Sequence, residues 1–226
     1  LIVAPLAFFG NWVIYKALLM PLVRRAKNKG QLEVDSILAT FGMSFALVGI
    51  MVSIHGEYFT YSYLAEPFEI VGETFALNRI VAFSFAVLIG VALWLWLFFT
   101  RPGMAMRAVS VSTEASGLVG INVQKMSALA FALGGAVTTI GGTLISTFIT
   151  LDASVGVIFT MKALIIIIMG GVGDIRGAIV AALILGLVET TVARLIDPGL
   201  TLAAAYAIFV LVLLFRPEGL FGRNPT

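Results

Sequence analysis

Long apolar runs separated by short polar segments make up most of this chain. Six of these runs lie at residues 1–23, 36–54, 80–100, 126–149, 178–195 and 200–215. A helix needs about 20 apolar residues to cross the hydrocarbon core of a bilayer, so each run is a candidate span. A seventh run, residues 162–169, has only half that length. The pattern predicts an all-α polytopic transmembrane helical bundle.

The seventh run leads into a glycine-rich segment, GGVGDIRG, at residues 170–177. Each glycine destabilises a helix interior by about 1 kcal/mol relative to alanine, so Gly170, Gly171 and Gly173 predict a break. A short apolar segment interrupted by glycine is typical of the broken or re-entrant helices of transporters. Irregular backbone at that depth lines a cavity or is buried in protein. We therefore predict that these glycines face the translocation path; the alternative is a tight turn.

Hydroxyl and small side chains mark one face of several predicted spans. Thr40 and Ser44 lie four residues apart and could line the path, although such hydroxyls more often bond back to the preceding helical turn. Small residues spaced four apart let helix backbones approach closely. They predict a packed face in two later spans, formed by Ala130, Gly134, Thr138, Gly142 and Ser146 in one and by Ala178, Ala182, Gly186 and Thr190 in the other.

Residues 101–125 form a polar stretch between two apolar spans, which we call the polar island. Connections between helices are usually much shorter, so a partner outside the membrane is expected to act here. Thr113 can cap a short helix whose first turn holds Glu114, and Gly120 can end it. A short surface helix in a basic loop favours docking of a soluble partner; a solvated turn without a partner is the alternative.

Composition and charge narrow the function. Only 12% of the 226 residues are charged, against about 25% in soluble domains. The chain has no cysteine and one histidine, so no metal site and no cofactor are expected. It has no G-x-x-x-x-G-K-[ST] loop for nucleotide and no evident catalytic triad or carboxylate pair, so it is not expected to be an enzyme.

Basic residues predict the orientation, because Lys and Arg concentrate on the cytoplasmic side. Placing 24–35 inside puts ten basic residues inside: Arg24, Arg25, Lys27, Lys29, Arg101, Arg107, Lys125, Arg176, Arg216 and Arg223. The loop 55–78, which is acidic and tyrosine-rich, then lies outside. Charges within spans are functional candidates by default. Glu189 and Arg194 lie near a span end, where snorkelling to the interface is easy, and Lys162 begins the short run.

Several blocks resemble the membrane permease subunits of branched-chain amino acid ABC importers and of their urea or short-amide relatives. They are ILATFGMS at 37–44, TRPGMAMRAVSVSTEASGLVGINVQKMSALAFALGGA at 100–136, KALIIIIMGGVGDIRGAIVAALILGLVET at 162–190, and LLFRPEGLFGR at 213–223. The resemblance covers nearly the whole chain. Family members are longer at the N-terminus, so further spans are expected upstream of residue 1.

The resemblance implies a single permease domain, residues 1–226, in a bacterial or archaeal cytoplasmic (inner) membrane. It implies a second homologous permease or a homodimer, two cytoplasmic ATPase subunits and a periplasmic or extracellular solute-binding protein as partners, with no nucleic acid. Glu114-Ala115-Ser116 with Gly120 is similar to the EAA-and-glycine signature of importer coupling helices, with Ser116 replacing the second alanine. The implied ATPase-coupling residues are Arg107, Ala108, Glu114, Ala115, Ser116 and Gly120.

Three other functions remain as alternatives. A urea or short-amide permease belongs to the same family. An ion-coupled secondary transporter should carry charges near the bilayer midplane, where Lys162 is the one candidate if its segment lies deep. An intramembrane hydrolase would have His55, at a predicted interface, as its only histidine base. The sequence favours the importer permease for branched-chain or other small amino acids.

Overall fold

The fold is described by a computed structural model for residues 3–25, 28–56, 58–59, 67–70, 73–152 and 155–222. Six helical stretches of these residues are long and apolar enough to cross a membrane: Val3–Val23, Gly30–Ile54, Leu77–Phe99, Val123–Ile145, Ile175–Leu195 and Pro198–Phe215. A seventh apolar helix, Val155–Gly170, is shorter. The predicted all-α polytopic bundle is therefore confirmed. Lys27, Arg223 and part of the predicted outer loop 55–78 lie outside the described residues.

The chain divides into two compact units, Leu1–Ala153 and Ser154–Thr226. The helices of the first unit are α1 (Val3–Ile14), α2 (Met20–Arg25), α3 (Lys29–His55), α4 (Leu77–Phe99), α5 (Arg101–Val111), α6 (Thr113–Leu118) and α7 (Val123–Ile145). A π-helical turn, Tyr15–Leu19, joins α1 to α2. Short antiparallel strand pairs accompany them, β1 (Tyr58–Phe59) with β4 (Leu151–Asp152) and β2 (Pro67–Ile70) with β3 (Glu73–Ala76).

Helix α7 packs against both α1 and α4 in the first unit. Gly135 lies so close to α1 that a Cβ there would overlap the side-chain amide of Asn11. Just beyond the C-terminal end of α7, the carbonyl of Thr147 accepts a hydrogen bond from Nδ2 of Asn78 of α4, at 3.2 Å. A displacement of α7 therefore changes its contacts with both α1 and α4.

The predicted small-residue stripes are not the buried faces of their helices. In α7 the buried residues are Ala128, Ala132 and Ala136, whereas Ala130, Gly134, Thr138 and Gly142 are exposed. In α9 (Ile175–Leu195) the buried residues are Gly177, Ala181 and Leu185, whereas Ala182, Gly186 and Thr190 are exposed. For contacts within each unit, the sequence analysis selected the wrong face. Small residues occupy two neighbouring faces of both helices, so a spacing of four alone cannot choose between them.

The second unit contains α8 (Val155–Gly170), α9 (Ile175–Leu195) and α10 (Thr201–Phe215), with a 3-10 turn at Pro198–Leu200. Helix α8 begins seven residues before the short apolar run predicted at 162–169, so that run is the second half of a longer helix. Its 16 residues rise about 24 Å at about 1.5 Å per residue. All three helices contribute buried residues to one apolar core, namely Ile165, Met169, Ala181, Leu185 and Ala205.

Candidate functional site: the polar island, the glycine turn and an ion pair

The polar island begins at a rigid corner between α4 and α5. Thr100 caps α5, because its Oγ1 accepts a hydrogen bond from the Gly103 amide at 3.2 Å and donates one to the Trp96 carbonyl at 2.6 Å. A Cβ at Gly103 would meet the Trp96 carbonyl oxygen at 2.5 Å and the Leu97 Cα at 2.6 Å, so only glycine fits without movement. Helix α5 is thus held against the backbone at the end of α4.

Arg107 strengthens the same corner from the side. Its guanidinium carbon lies 3.9 Å from the centre of the Phe98 ring, which is cation–π geometry. Arg107 is also one of the residues that the resemblance implies for coupling to the ATPase. In the structure its half-buried side chain packs on Phe98 and ties α5 to α4.

Helix α6 is defined by a cap at each end. Ser112, and not the predicted Thr113, is the N-cap, since its Oγ accepts a hydrogen bond from the Ala115 amide at 3.2 Å. Gly120 ends the helix with a φ of +83°, as predicted. The Ile121 amide donates to the Ser116 carbonyl and the Gly120 amide to the Gly117 carbonyl, which is the Schellman pattern.

The surface of the island carries exposed apolar side chains. Val111 is 84%, Leu118 90% and Val119 75% exposed, and we call these three residues the apolar patch. The same nine positions, 111–119, also hold the exposed Ala115 and the exposed, acidic Glu114. Single exposed apolar residues are normal, but three within nine positions of a polar segment are typical of a surface that binds protein.

The predicted coupling residues fall into two groups. Ala108, Glu114, Ala115 and Gly120 are exposed and available to a partner. Ser116 is only 3% exposed and therefore packs inside the unit, where a small residue is required. The departure from a second alanine at Ser116 thus falls on an inward-facing position, not on the surface.

The predicted helix break is present as a tight turn between α8 and α9. Gly171 and Gly173 have φ of +101° and +91°, which favour glycine. Gly170 and Gly177 lie in backbone contact, since a Cβ at Gly170 would meet the Gly177 carbonyl carbon at 2.6 Å. Asp174 caps α9 by accepting from the Arg176 amide at 2.8 Å. The two helices form an antiparallel hairpin, and α9 begins at Ile175, earlier than the predicted residue 178.

The C-terminal segment covers this turn. The Leu220 amide donates to the Met169 carbonyl at 2.8 Å, and the Phe221 amide donates to the Gly170 carbonyl at 3.1 Å. These bonds satisfy carbonyls that the end of a helix leaves unpaired. A Cβ at Gly171 would meet the Gly222 amide nitrogen at 2.8 Å. A substitution at Gly171 would therefore disturb the C-terminal segment whether or not solute passes nearby.

The other path candidates lie on α3. The Thr40 hydroxyl donates to the Ser36 and Ile37 carbonyls at 2.9 and 3.0 Å, which is the back-bonded arrangement that the sequence favoured. Thr40 and Ser44 are both exposed, and no residue of α3 with a described exposure is buried. A path along this face needs a second wall from another element.

Sequence reasoning missed an ion pair inside the second unit. Lys162 of α8 donates from Nζ to Oε2 of Glu189 of α9 at 2.8 Å, with side chains 24% and 19% exposed. The sequence analysis placed Glu189 at an interface and left Lys162 without a partner. The available signal was the single charged residue of α8 and the single acidic residue of α9, on consecutive apolar helices joined by a tight turn. Within the described ranges, no cluster of His, Cys, Asp and Glu could hold a metal.

Comparison with known proteins supports the resemblance. Residues 29–215 match the family described as branched-chain amino acid transport system / permease component. The high-affinity branched-chain amino acid transport system permease protein LivH of Escherichia coli K12 is 32% identical over 133 residues, covering 58% of this chain and 43% of LivH. The corresponding protein BraD of Pseudomonas aeruginosa is 30% identical over 153 residues, covering 67% of this chain and 50% of BraD.

A more distant relative is the ribose import permease protein RbsC of Haemophilus influenzae, which is 26% identical over 190 residues, covering 80% of this chain and 59% of RbsC. The chain spans about half the length of the curated amino acid permeases that it matches. No solved structure matches it. Because the family match extends over most of the sequence, the chain belongs to the family of branched-chain amino acid transport system permease components.

Proposed function

We propose that this chain is a transmembrane permease subunit of an ABC importer for branched-chain amino acids, with the polar island as its contact to an ATPase. The observation that carries the proposal is the apolar patch Val111, Leu118 and Val119, exposed on a polar segment between two membrane-length helices. The names of LivH and BraD support the solute class. Energy for transport comes from the partner ATPases, since the sequence contains no nucleotide-binding loop of its own.

The contacts that connect α5 to α4 and α6 to α7 explain how docking of the ATPase moves the membrane helices. Backbone contact at Gly103 and the Arg107–Phe98 stack couple α5 to α4. On the other side, the Schellman turn at Gly120 is followed directly by the Asn122 cap of α7, whose Oδ1 accepts from the Lys125 amide at 3.0 Å. The island has no long flexible connection at either end, so a displaced α6 pulls on α4 and α7 together.

The remaining assignments of the proposal concern partners and path. Two cytoplasmic ATPase subunits, a second permease subunit of the same type and an extracytoplasmic solute-binding protein complete the importer, and the whole chain acts as one permease domain in the inner membrane. The chain itself catalyses no reaction. Solute path candidates are Thr40, Ser44, Gly170, Gly171 and Gly173, of which the exposed pair on α3 requires the second permease subunit as the opposite wall.

Cross-linking to the ATPase tests the island directly. A cysteine at Ala115 should cross-link to the ATPase subunit in the assembled complex, and Ala115→Trp should abolish both solute uptake and stimulated ATP hydrolysis while membrane levels stay normal. Gly120→Val should do the same, because valine is disfavoured at a φ of +83°. Wild-type uptake by the tryptophan variant, together with no cross-link, would show that the polar island is only a solvated connection without a partner.

A further inference from the structure

The ion pair between α8 and α9 lies well inside both helices. Lys162 is the only charged residue of α8 and follows Val155 by seven positions, while Glu189 precedes Leu195, the last residue of α9, by six. At about 1.5 Å per residue, both lie roughly 10 Å from the helix ends opposite the glycine turn. Charges at such depth are expensive and mark functional positions by default.

The pair is only half satisfied by its surroundings. Oε2 of Glu189 accepts from Lys162, but Oε1 is buried and has no hydrogen-bond partner among the described residues. The ammonium of Lys162 carries three N–H groups, of which this bond uses one. The nearby hydroxyls do not help, because Thr190 and Thr191 donate to the carbonyls of Gly186 and Leu187 in their own helix.

The pair is not sealed inside the unit, because the side chains of Lys162 and Glu189 are 24% and 19% exposed. Gly186 precedes Glu189 by nearly one helical turn, and no atom lies within 4 Å of the position that a Cβ would occupy there. The apolar core residues Ile165 and Leu185, which are 4% and 3% exposed, lie three and four positions from Lys162 and Glu189 along their helices. The pair therefore combines a carboxylate oxygen and ammonium N–H groups that no described residue satisfies with side chains that are partly exposed at the edge of an apolar core.

The charge balance of the pair selects the class of ligand. A singly charged ion would pair with one member and leave the other unpaired in an apolar environment, which is strongly unfavourable. A zwitterion avoids this, because its ammonium donates to the carboxylate of Glu189 while its own carboxylate accepts from Nζ of Lys162. We propose that Lys162 and Glu189 bind the charged head group of a zwitterionic amino acid, which rests on the proposed function and identifies a recognition element within it.

Exchanging the two charges distinguishes binding of an amino acid from a purely structural ion pair that only holds α8 and α9 together. The complete complex is reconstituted into proteoliposomes, and initial uptake of radiolabelled L-leucine, ATP hydrolysis and the melting temperature are measured. The double variant Lys162→Glu with Glu189→Lys keeps an ion pair but exchanges its two ends. We expect a melting temperature near wild type and sustained ATP hydrolysis, with uptake at least tenfold lower, because the amino acid must enter with its head group reversed.

A neutral double variant, Lys162→Met with Glu189→Gln, gives an independent measure if the swap fails to assemble. It removes both charges without leaving either one unpaired, so an adhesive pair predicts nearly wild-type uptake and a binding pair predicts at least a tenfold loss. Wild-type uptake by either double variant would overturn the head-group site while leaving the importer assignment intact. If the wild-type complex shows no ATP-dependent uptake of L-leucine, the proposed function itself fails.

Discussion

Truncation of Leu118 should weaken the docking of the ATPase more than any change of charge on the island. Leu118 is 90% exposed, so it adds little to the stability of the isolated chain. Complete burial of a leucine side chain against a partner contributes about 1.5–3 kcal/mol. Leu118→Ala removes most of that area and should therefore cost about 2 kcal/mol of binding free energy, which is about a 30-fold rise in the dissociation constant.

The assay is a titration of the isolated ATPase subunit onto the permease in lipid nanodiscs, read by biolayer interferometry. Leucine and alanine have nearly equal helix propensity, and surface substitutions generally change stability by less than about 0.5 kcal/mol. The variant should therefore insert and melt like the wild type. Any loss of affinity is then attributable to the docking surface and not to the fold of α6.

A matched control lies at the other predicted side of the membrane. Leu195, the last residue of α9, is 79% exposed. The predicted span 200–215 separates it from Arg216, which is expected inside, so Leu195 is expected at the outer side. Leu195→Ala should leave ATPase affinity unchanged. Glu114→Ala should weaken binding less than tenfold, because exposed ion pairs contribute about 1 kcal/mol or less. Equal affinities for the Leu118 variant and the wild type, or equal losses for the two leucine variants, would refute docking through the apolar patch.

Two further predictions address the hairpin and the orientation. Gly177→Ala should lower the melting temperature markedly, because the added Cβ would overlap the Gly170 carbonyl. Its control is Gly186→Ala in the same helix, where the added Cβ meets nothing within 4 Å and the substitution should be neutral or stabilising by up to about 1 kcal/mol. Equal melting temperatures for the two variants would contradict the close backbone contact. In this cysteine-free chain, Thr113→Cys should react with a membrane-impermeant maleimide only from the cytoplasmic side and Ile196→Cys only from outside; the reverse labelling would invert the topology.

Helices and helix ends were predicted correctly where a residue or an apolar run had only one physical interpretation. Long apolar runs specify membrane-length helices, because no other structure satisfies the backbone in lipid. Gly120 was correctly placed at the end of α6 because a helix end with positive φ strongly favours glycine. Its N-cap was misplaced by one residue, since Ser112 and Thr113 are adjacent hydroxyls and only the end of α5 decides between them.

Helix α5 was missed because a polar, basic segment was interpreted as a loop. A usable signal was present in Thr100-Arg101-Pro102, since a threonine cap followed by a proline in the first turn is typical of a helix start. For the Lys162–Glu189 pair the sequence offered two opposite charges on consecutive helices, but not the contact between them. It depends on the register of the α8–α9 hairpin, which is set by backbone contact between Gly170 and Gly177, and no local pattern encodes that contact.

The same geometry limits how the island can work. An ATPase that binds the apolar patch equally tightly in two conformations of the permease does not change the populations of those conformations, because a ligand shifts an equilibrium only by its difference in affinity for the two states. The patch offers three side chains, each contributing about 1.5–3 kcal/mol when fully buried. Part of that binding energy must be lost when α4 and α7 change from one conformation of the permease to the other. The close backbone contact at Gly103 and the tight turn at Gly120 leave no flexible connection that would let α6 stay bound while α4 and α7 move. Docking strength and transport coupling should therefore fall together in variants of the patch, and separate in variants of the joints.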